Sequence, residues 1–455
     1  MLDEYIRHNL FLDGLERFTM EDPQLALLQD ISYVHPLDWW MAIDWAKPGI
    51  IILTGGRQIG KSTSLKLCIK HVLQDRAFSP STIFYLPCDQ IIDATHLNRV
   101  LRLFLDAMIM PTPRFLLIID EVTFVTDWDR VIKALADEGW FRHGFCILTG
   151  SDSVILQEAT VRFPGRRGNA ARVDFHLLPL SFREYVALIQ PHILSAPSEQ
   201  TETLFALFQQ YLQCGGYLRA INELHQHGEI GAATHMTFEQ WIRGDCLKRG
   251  KSEPHLLSLL HALLAVGVSQ VTYSGLTERV GSMSKETLLD YCRLLERMDV
   301  LFTLQAFDQN TRQGFPKKAR KFHFCDPFIR TTVARWLARE GLASTPIDEA
   351  TLVEATVAAQ FHRRLPCYYI KAAGEVDLVL VVGKTFLPIE VKWSRTLRPN
   401  DFAQLRKYSP AVILSKQPAV GTIEDTPSIP LPLFLLEHHS AEAVRRHASA
   451  RSGHP

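Results

Sequence analysis

A chain of 455 residues is too long for one ordinary hydrophobic core and predicts about three domains. Its 47% apolar and 22% charged residues exclude a largely disordered polymer. Lys+Arg 49 balance Asp+Glu 49, which excludes a basic surface spread over the whole molecule, so any contact with nucleic acid must be local.

The chain begins MLDEYIRHNL, with acids where a signal peptide carries bases, and no stretch reaches the roughly 18 apolar residues of a membrane span. The expectation is a cytoplasmic protein with no membrane contact. The eight cysteines form no CxxC pair and read as reduced, mostly buried thiols. His225 with His227, and His438 with His439, lack a second ligand pair at zinc spacing and read as surface histidines. Residues 1–47 read as a helical lead-in whose Trp39, Trp40 and Trp45 pack against the strand that follows.

That strand is the apolar run 49–54, GIIILT, and after it come Gly55, Gly56, Arg57, Gln58, Ile59, Gly60, Lys61, Ser62 and Thr63. Glycine, four residues, then Gly-Lys-Ser fits the phosphate-loop template, with residues 64–73 as the helix behind it. A strand, a glycine loop and a helix N-terminus are what a triphosphate needs: amides facing anionic oxygens. Lys61 would reach the β and γ phosphates of ATP, and the Ser62 hydroxyl would take one position on an octahedral Mg2+.

A second strand is expected at 82–86 and a helix at 98–108. The run 115–119, FLLII, then predicts a buried strand that delivers Asp120 and Glu121 to its C-terminal edge, where ligands bind in open α/β sheets. Asp120 would hold Mg2+ through water, and Glu121 would orient or deprotonate the attacking water. Two acids are needed because a carboxylate engaged with the metal is poorly placed to act as the base. The pair argues against a small-molecule kinase. The strand 145–148 ends in Thr149 and Ser151; one of them would lie between loop and acids and sense the γ-phosphate, or both merely cap the next helix. The turn GRRGNAAR offers Arg166, Arg167 and Arg172, either as an arginine finger acting in cis or from a neighbouring subunit, or as an exposed basic loop.

These segments, GGRQIGKST, LLIIDEV, Trp128 in the turn after it, ILTGSDS and LLPLSFREY, resemble the prokaryotic AAA-type ATPases, archaeal-ATPase-like and STAND-related, whose members carry a C-terminal domain of unknown function with a PD-(D/E)XK nuclease-like fold. The resemblance spans residues 48–436. It departs at Gly215-Gly216-Tyr217-Leu218, where relatives often show a proline after the aromatic. It implies a small helical lid beside the nucleotide, and Ser181-Phe182-Arg183-Glu184 supplies the capping box that starts that helical stretch.

Three helical segments, 256–266, 273–280 and 284–298, follow the lid. In the third, Leu288, Tyr291, Cys292, Leu295 and Met298 share one face. Strands 300–307 and 321–324 flank NTRQGFPKKARK, which would put Arg312, Lys317, Lys318, Arg320 and Lys321 at the tip of a wing. Three helices and a basic wing predict a winged helix-turn-helix, suited to DNA phosphates or to a partner protein.

In the last third a helix from Thr345-Pro346 carries Glu354, strand 375–382 carries Asp377, and strand 385–391 leads into Glu390-Val391-Lys392. Helix 400–408 and strand 411–414 complete the order of a PD-(D/E)XK nuclease. Residues two apart in a strand share a face, so Glu390 and Lys392 point together and an antiparallel neighbour brings Asp377 opposite them. Asp377, Glu390 and Glu354 would then hold Mg2+ or Mn2+, with Lys392 at the scissile phosphate. An Asp followed by Glu-x-Lys arises by chance about once in a chain this long, so the strand context and the resemblance carry the reading. The alternative is a decayed nuclease fold in which these groups form a buried ion cluster.

The expected architecture is an α/β multidomain protein: lead-in 1–47, P-loop ATPase core with a parallel sheet 48–180, helical lid 181–250, winged helix-turn-helix 251–344, nuclease-like domain 345–437 and polar tail 438–455. The expected function is ATP hydrolysis coupled to a DNA-acting nuclease domain, in genome maintenance or defence against foreign DNA. The alternative is an ATP-driven signalling switch whose last domain only binds a partner or DNA. A homo-oligomer fits either reading.

Overall fold

The computed structural model describes residues 2–108, 114–150, 156, 163, 165–342 and 348–450. Ser151 and the expected helix start at 345–346 lie outside the described residues. The chain divides into two compact units, Met1–Leu178 and Pro179–Pro455.

The first unit is built on a parallel sheet of β1 (Gly49–Gly55), β2 (Ile83–Pro87), β3 (Leu116–Asp120), β4 (Phe145–Thr149) and β5 (Asp174–Leu177), in the order β2-β3-β4-β1-β5. Strands β1, β3 and β4 are buried at every residue, as their continuous apolar runs require when both faces of the sheet are covered. The connecting segments include α3 (Lys61–Gln74), α4 (Ala94–Asp106) and α5 (Trp128–Asp137). Helix α4 begins four residues earlier than its apolar pattern suggests, because Asp93 caps it through the His96 amide at 2.7 Å. Ile50, Ile52, Leu117, Ile119 and Leu148 meet Leu101, Phe104, Ile132 and Leu135 in one core.

The lead-in packs onto this sheet. It contains α1 (Leu15–Glu21) and α2 (Pro23–Leu27), the latter capped by Asp22. Asn9 bonds both backbone groups of Tyr85, at 2.8 and 2.9 Å, and so supplies edge strand β2 with the partner its outer side lacks. Trp39 rests on Phe175 and donates to the Ser64 hydroxyl, while Trp45 packs on Phe78 and Phe145.

The second unit opens with α6 (Phe182–Ile189), whose capping box forms as the sequence predicts: Glu184 accepts from the Ser181 amide at 2.7 Å and Ser181 from the Glu184 amide. Helices α7 (Thr201–Cys214), α8 (Leu218–His227) and α9 (Ala232–Lys248) follow. Gly215, between α7 and α8, has φ 57° and ψ −149°, a conformation open essentially to glycine, and the Asp326 carboxylate fills the space a Cβ would take. Asp326 is buried there because it accepts from the Gly216 amide at 2.9 Å and from Phe328 at 2.8 Å. Gly215→Ala should therefore cost about 3 kcal/mol or more of stability, read as an earlier urea midpoint.

Helices α10 (Glu253–Val266), α11 (Tyr273–Val280) and α12 (Lys285–Arg297) come next, and Leu288, Tyr291, Cys292, Leu295 and Met298 are all buried. The hairpin of β6 (Leu301–Asp308) and β7 (Gln313–Phe324) is not a free-standing wing. Strand β6 also pairs in parallel with β8 (Cys367–Lys371), so one sheet of eight strands crosses the expected boundary at residue 344. Helix α13 (Pro327–Arg339) separates the hairpin from α14 (Glu349–His362), which carries Glu354. The sheet continues through β9 (Glu375–Val382), β10 (Thr385–Lys392) and β11 (Val412–Ser415) to β13 (Thr426–Pro430) and β12 (Gly421–Ile423).

The segment expected as a helix at 400–408 is two short turns, Pro399–Phe402 and Leu405–Lys407. Beyond α15 (Leu431–Glu437), residues read as a polar tail form α16 (Ala441–Ala450), which buries Val444 and Ala448. His438 is a buried ring rather than a surface one. It stacks on Phe434 with centroids 4.0 Å apart, and burial lowers its pKa to about 4. Every cysteine is a free thiol. Among the described residues no helix is long and apolar enough to cross a membrane.

Candidate nucleotide site and a carboxylate cluster

In the first unit the chemistry collects at the C-terminal edge of the parallel sheet. β1 runs into the glycine loop, and Gly55 has no room for a side chain: a Cβ there would sit 2.6 Å from the Leu177 carbonyl oxygen. Gly60 adopts φ 93° and hands the chain to α3, so Lys61 and Ser62 occupy that helix's first turn. The Lys61 ammonium, 6% exposed, donates to the Gly55 and Gly56 carbonyls at 2.9 Å each, which folds it back over the loop. Arg57, Gln58, Ile59 and Thr63 lie in the same loop and turn, with Gln58 at φ 61°.

Strand β4 lies between β1 and β3, with Leu53 beside Thr149 and Ile119 beside Leu148. Asp120 therefore stands at the same sheet edge as the loop, two strand spacings or about 10 Å across. Asp120 is 3% exposed and both its oxygens are engaged. The Thr149 hydroxyl donates to Oδ1 and the Tyr85 hydroxyl to Oδ2 at 2.7 Å. The Glu121 amide donates back to Thr149 Oγ1 at 3.2 Å, and Glu121 itself turns out of the strand at φ 57°. Thr149 thus lies on the strand between loop and acids, with its hydroxyl bonded to the Asp120 carboxylate and the Glu121 amide. A carboxylate has about four lone-pair sites, so Asp120 keeps acceptor capacity beyond these two bonds, and it and the Ser62 hydroxyl are hard-oxygen groups of the kind Mg2+ takes.

The arginine turn goes elsewhere. The Arg167 carbonyl lies against Gly49 at the start of β1, the opposite end of a seven-residue strand from Gly55 and about 20 Å away. Arg166 is paired with Asp137, and Arg167 with Asp174 at 2.6 Å. Arg166 and Arg167 accordingly do not join this site within one chain, a correction to the cis arrangement. Arg172 stacks on Phe175 at 4.6 Å.

In the second unit, β9 and β10 pair antiparallel with Leu378 beside Ile389, which sets Asp377 next to Glu390. Asp377 Oδ2 accepts from the Val391 amide at 2.9 Å, and Lys392 reaches Glu390 at 3.0 Å. Helix α14 adds Glu354 and β9 adds Glu375. The sequence reading missed what lies among them. Lys321, assigned to an exposed wing tip, is 1% exposed and pairs with Glu354 and Glu375 at 2.7 Å each and with Asp377 at 3.8 Å.

Burial pushes Glu354 up to about 7, with Asp377 adding and Lys321 opposing; burial and then Asp377 push Glu390 up to about 8 against the pull of Lys392. Burial alone would lower the Lys321 ammonium, yet Glu354, Asp377 and Glu375 hold it above its ordinary value. Glu390 Oε2 is buried with no hydrogen-bond partner. Among the described residues no group of three or more His, Cys, Asp or Glu is arranged to hold a metal ion. Of the remaining hairpin cations, Lys317 and Lys318 are exposed, Arg320 stacks on Tyr273 at 4.0 Å, and Arg312 binds the Lys384 carbonyl.

Residues 47–186, which hold the loop, the acids and Thr149, match the family model of the AAA domain. This part of the chain is similar to the AAA domain, which supports a P-loop ATPase. The match supports ATP binding and hydrolysis, with Mg2+ as the typical companion of such ATPases. Residues 205–340 and 349–433 match two domains of unknown function, DUF8612 and DUF4143. An uncharacterized protein of Haemophilus influenzae is 23% identical over 321 residues, covering 67% of this chain and 73% of that one. An uncharacterized protein of Methanocaldococcus jannaschii is 23% identical over 371 residues, covering 74% and 73%. Among solved structures, the Walker-type ATPase of Pyrococcus abyssi aligns with TM-score 0.41 and 14% identity over 62% of this chain and 90% of that one. The ORC2 protein of Aeropyrum pernix in its ADPNP-ADP complexes aligns with TM-score 0.38 and 13% identity over 68% and 93%.

Proposed function

We propose that the AAA domain hydrolyses ATP with Mg2+ and that nucleotide state acts as a switch on the second unit, whose carboxylate cluster belongs to a partner- or DNA-binding module rather than to a nuclease. The observation that carries the ATPase half is the acid pair Asp120-Glu121, tied to Thr149 at the same sheet edge as Lys61. In this reading the loop from Gly55 to Thr63 and Lys61 hold the β and γ phosphates, and Ser62 and Asp120 hold Mg2+, which when bound neutralises charge on those phosphates. Glu121 orients or deprotonates the attacking water, and Thr149 keeps Asp120 aimed. Arg166 contributes only if a second copy brings it to the nucleotide, which makes a homo-oligomer part of the proposal.

For the second unit the supporting observation is Lys321, a resident ammonium among three carboxylates. A specific observation favours cutting instead: Glu390 Oε2 is buried and partnerless beside Asp377, a pair of carboxylates a divalent ion could draw on, with Lys392 on the same strand to meet a phosphate. Exposed Lys317 and Lys318 suit DNA phosphates in either case. Plasmid incubated with the full chain and Mn2+ or Mg2+ decides between them. We expect no nicking; metal-dependent nicking that is lost in Lys392→Ala would establish the nuclease.

A further inference from the structure

The lead-in is joined to the AAA domain's acid by an unbroken line of buried polar contacts. Asp22, at the cap of α2, pairs with Lys66 of α3 at 3.1 Å, the two side chains being 2% and 3% exposed. Lys66 also donates to the His8 carbonyl at 2.8 Å, so its ammonium is fixed by two points of the lead-in. That ammonium lies 3.6 Å from the centroid of the Tyr85 ring, and the Tyr85 hydroxyl donates to Asp120 Oδ2. Asn9 clamps the Tyr85 backbone on both sides.

A buried ion pair contributes little net stability, because desolvating two charges offsets most of their attraction. An apolar pair of the same volume would fill the space as well. What the charged pair adds is direction: a cation pinned over one ring face fixes the tilt of that ring, and the tilt decides where its hydroxyl points. Burial pushes the Lys66 ammonium below its ordinary value while Asp22, and more weakly Asp120, pull it back, so the charge belongs to the same electrostatic unit as the acid.

We propose that the lead-in is a strap that positions Asp120 for the nucleotide-bound Mg2+, acting through Asp22, Lys66 and the Tyr85 hydroxyl, so that Tyr85 and Lys66 are positioning residues of the ATPase site. The proposal rests on the ATPase reading above. It predicts that disturbing the strap changes how much Mg2+ the site needs, with little change in its hold on the nucleotide alone.

The test uses the full chain and a fluorescent ADP, the N-methylanthraniloyl ester, titrated with and without MgCl2. Tyr85→Phe removes one hydroxyl and keeps the ring and the cation above it. We expect an unchanged affinity without Mg2+ and a rise of about 5- to 10-fold in the Mg2+ concentration at half effect, the loss of one hydrogen bond to a charged acceptor. Under saturating Mg2+, kcat for ATP should fall while KM holds. Asp22→Asn keeps a helix cap and takes the anion from Lys66; it should move the Mg2+ dependence in the same direction, and it decides the matter should Tyr85→Phe not fold. An unchanged Mg2+ half-effect in a folded variant, with Asp120→Asn shifting it and Lys61→Ala losing the nucleotide, overturns the strap and leaves the ATPase reading standing. A parent chain that takes up no nucleotide overturns both.

Discussion

Lys61→Ala should reduce nucleotide affinity by on the order of 100- to 10,000-fold, because alanine cannot replace the charge-assisted bonds the ammonium would make to the β and γ phosphates, at about 1.5–3 kcal/mol each. Glu121→Gln should leave binding intact. Its amide keeps the shape of the carboxylate and cannot accept a proton, so ATP should bind as before and turn over about 100- to 10,000-fold more slowly. Equilibrium binding of labelled ATP and single-turnover hydrolysis measure the two effects separately. The contrast is the informative part: loss of binding at Lys61 and retention with slowed turnover at Glu121 assign holding and chemistry to different residues. If both variants turned over ATP like the parent, the roles would be misassigned. The fold gives reason to expect separability, since Lys61 is held by the carbonyls of its own loop while Glu121 hangs from the Thr149 hydroxyl on a different strand.

The nucleotide site was legible because its chemistry is local. The glycines, Lys61 and Ser62 are contiguous, and Asp120-Glu121 end a run so apolar that only a buried strand accommodates it. Capping is equally local, and Ser181 with Glu184 formed as expected. Long-range pairing was not legible. Nothing in the neighbourhood of Tyr85 marks it as a partner of Asp120, and nothing near Lys66 marks it as a partner of Asp22, across 35 or more positions, and the lead-in suggested no role. The parallel contact of β6 with β8 likewise leaves no local trace, so a sheet shared by two predicted domains was cut at residue 344.

Lys321 was misplaced for a related reason. KKARK reads as one solvated block, but the register of β7 against β6 shifts between Gln305 and Ala306, and past the shift the strand turns its side chains inward. The His438-His439 pair failed in the same way, since a ring stacked on Phe434 under α16 looks in sequence like any polar tail. Arg166 fell outside the site because its turn returns the chain to the start of β1, not the end.

Lys321→Met should be the most costly single change in the second unit, at about 3–5 kcal/mol near pH 8, because it leaves Glu354, Glu375 and Asp377 facing one another without their cation. Methionine nearly matches the lysine stem in length, so the loss is electrostatic more than steric. The pH dependence follows from the carboxyls themselves. Glu354 and Glu390 keep their protons in the folded chain up to about 7 and 8, against an ordinary 4.5, so the folded state binds more protons over that interval. Their contribution to stability is complete below about 4.5 and is lost as pH rises through 7 and 8. Without Lys321 the acids repel more strongly when ionised, so the penalty should be largest at pH 8 and shrink toward pH 5 as Glu354 protonates. Urea unfolding of parent and variant at the two pH values measures this, and an equal loss at both would show the lysine to be mere packing. Mn2+ added at pH 8 then asks what the cluster prefers. A metal-dependent gain in the variant that the parent lacks would mean that Lys321 stands where a divalent ion otherwise would, and that the binding-module reading depends on this one side chain.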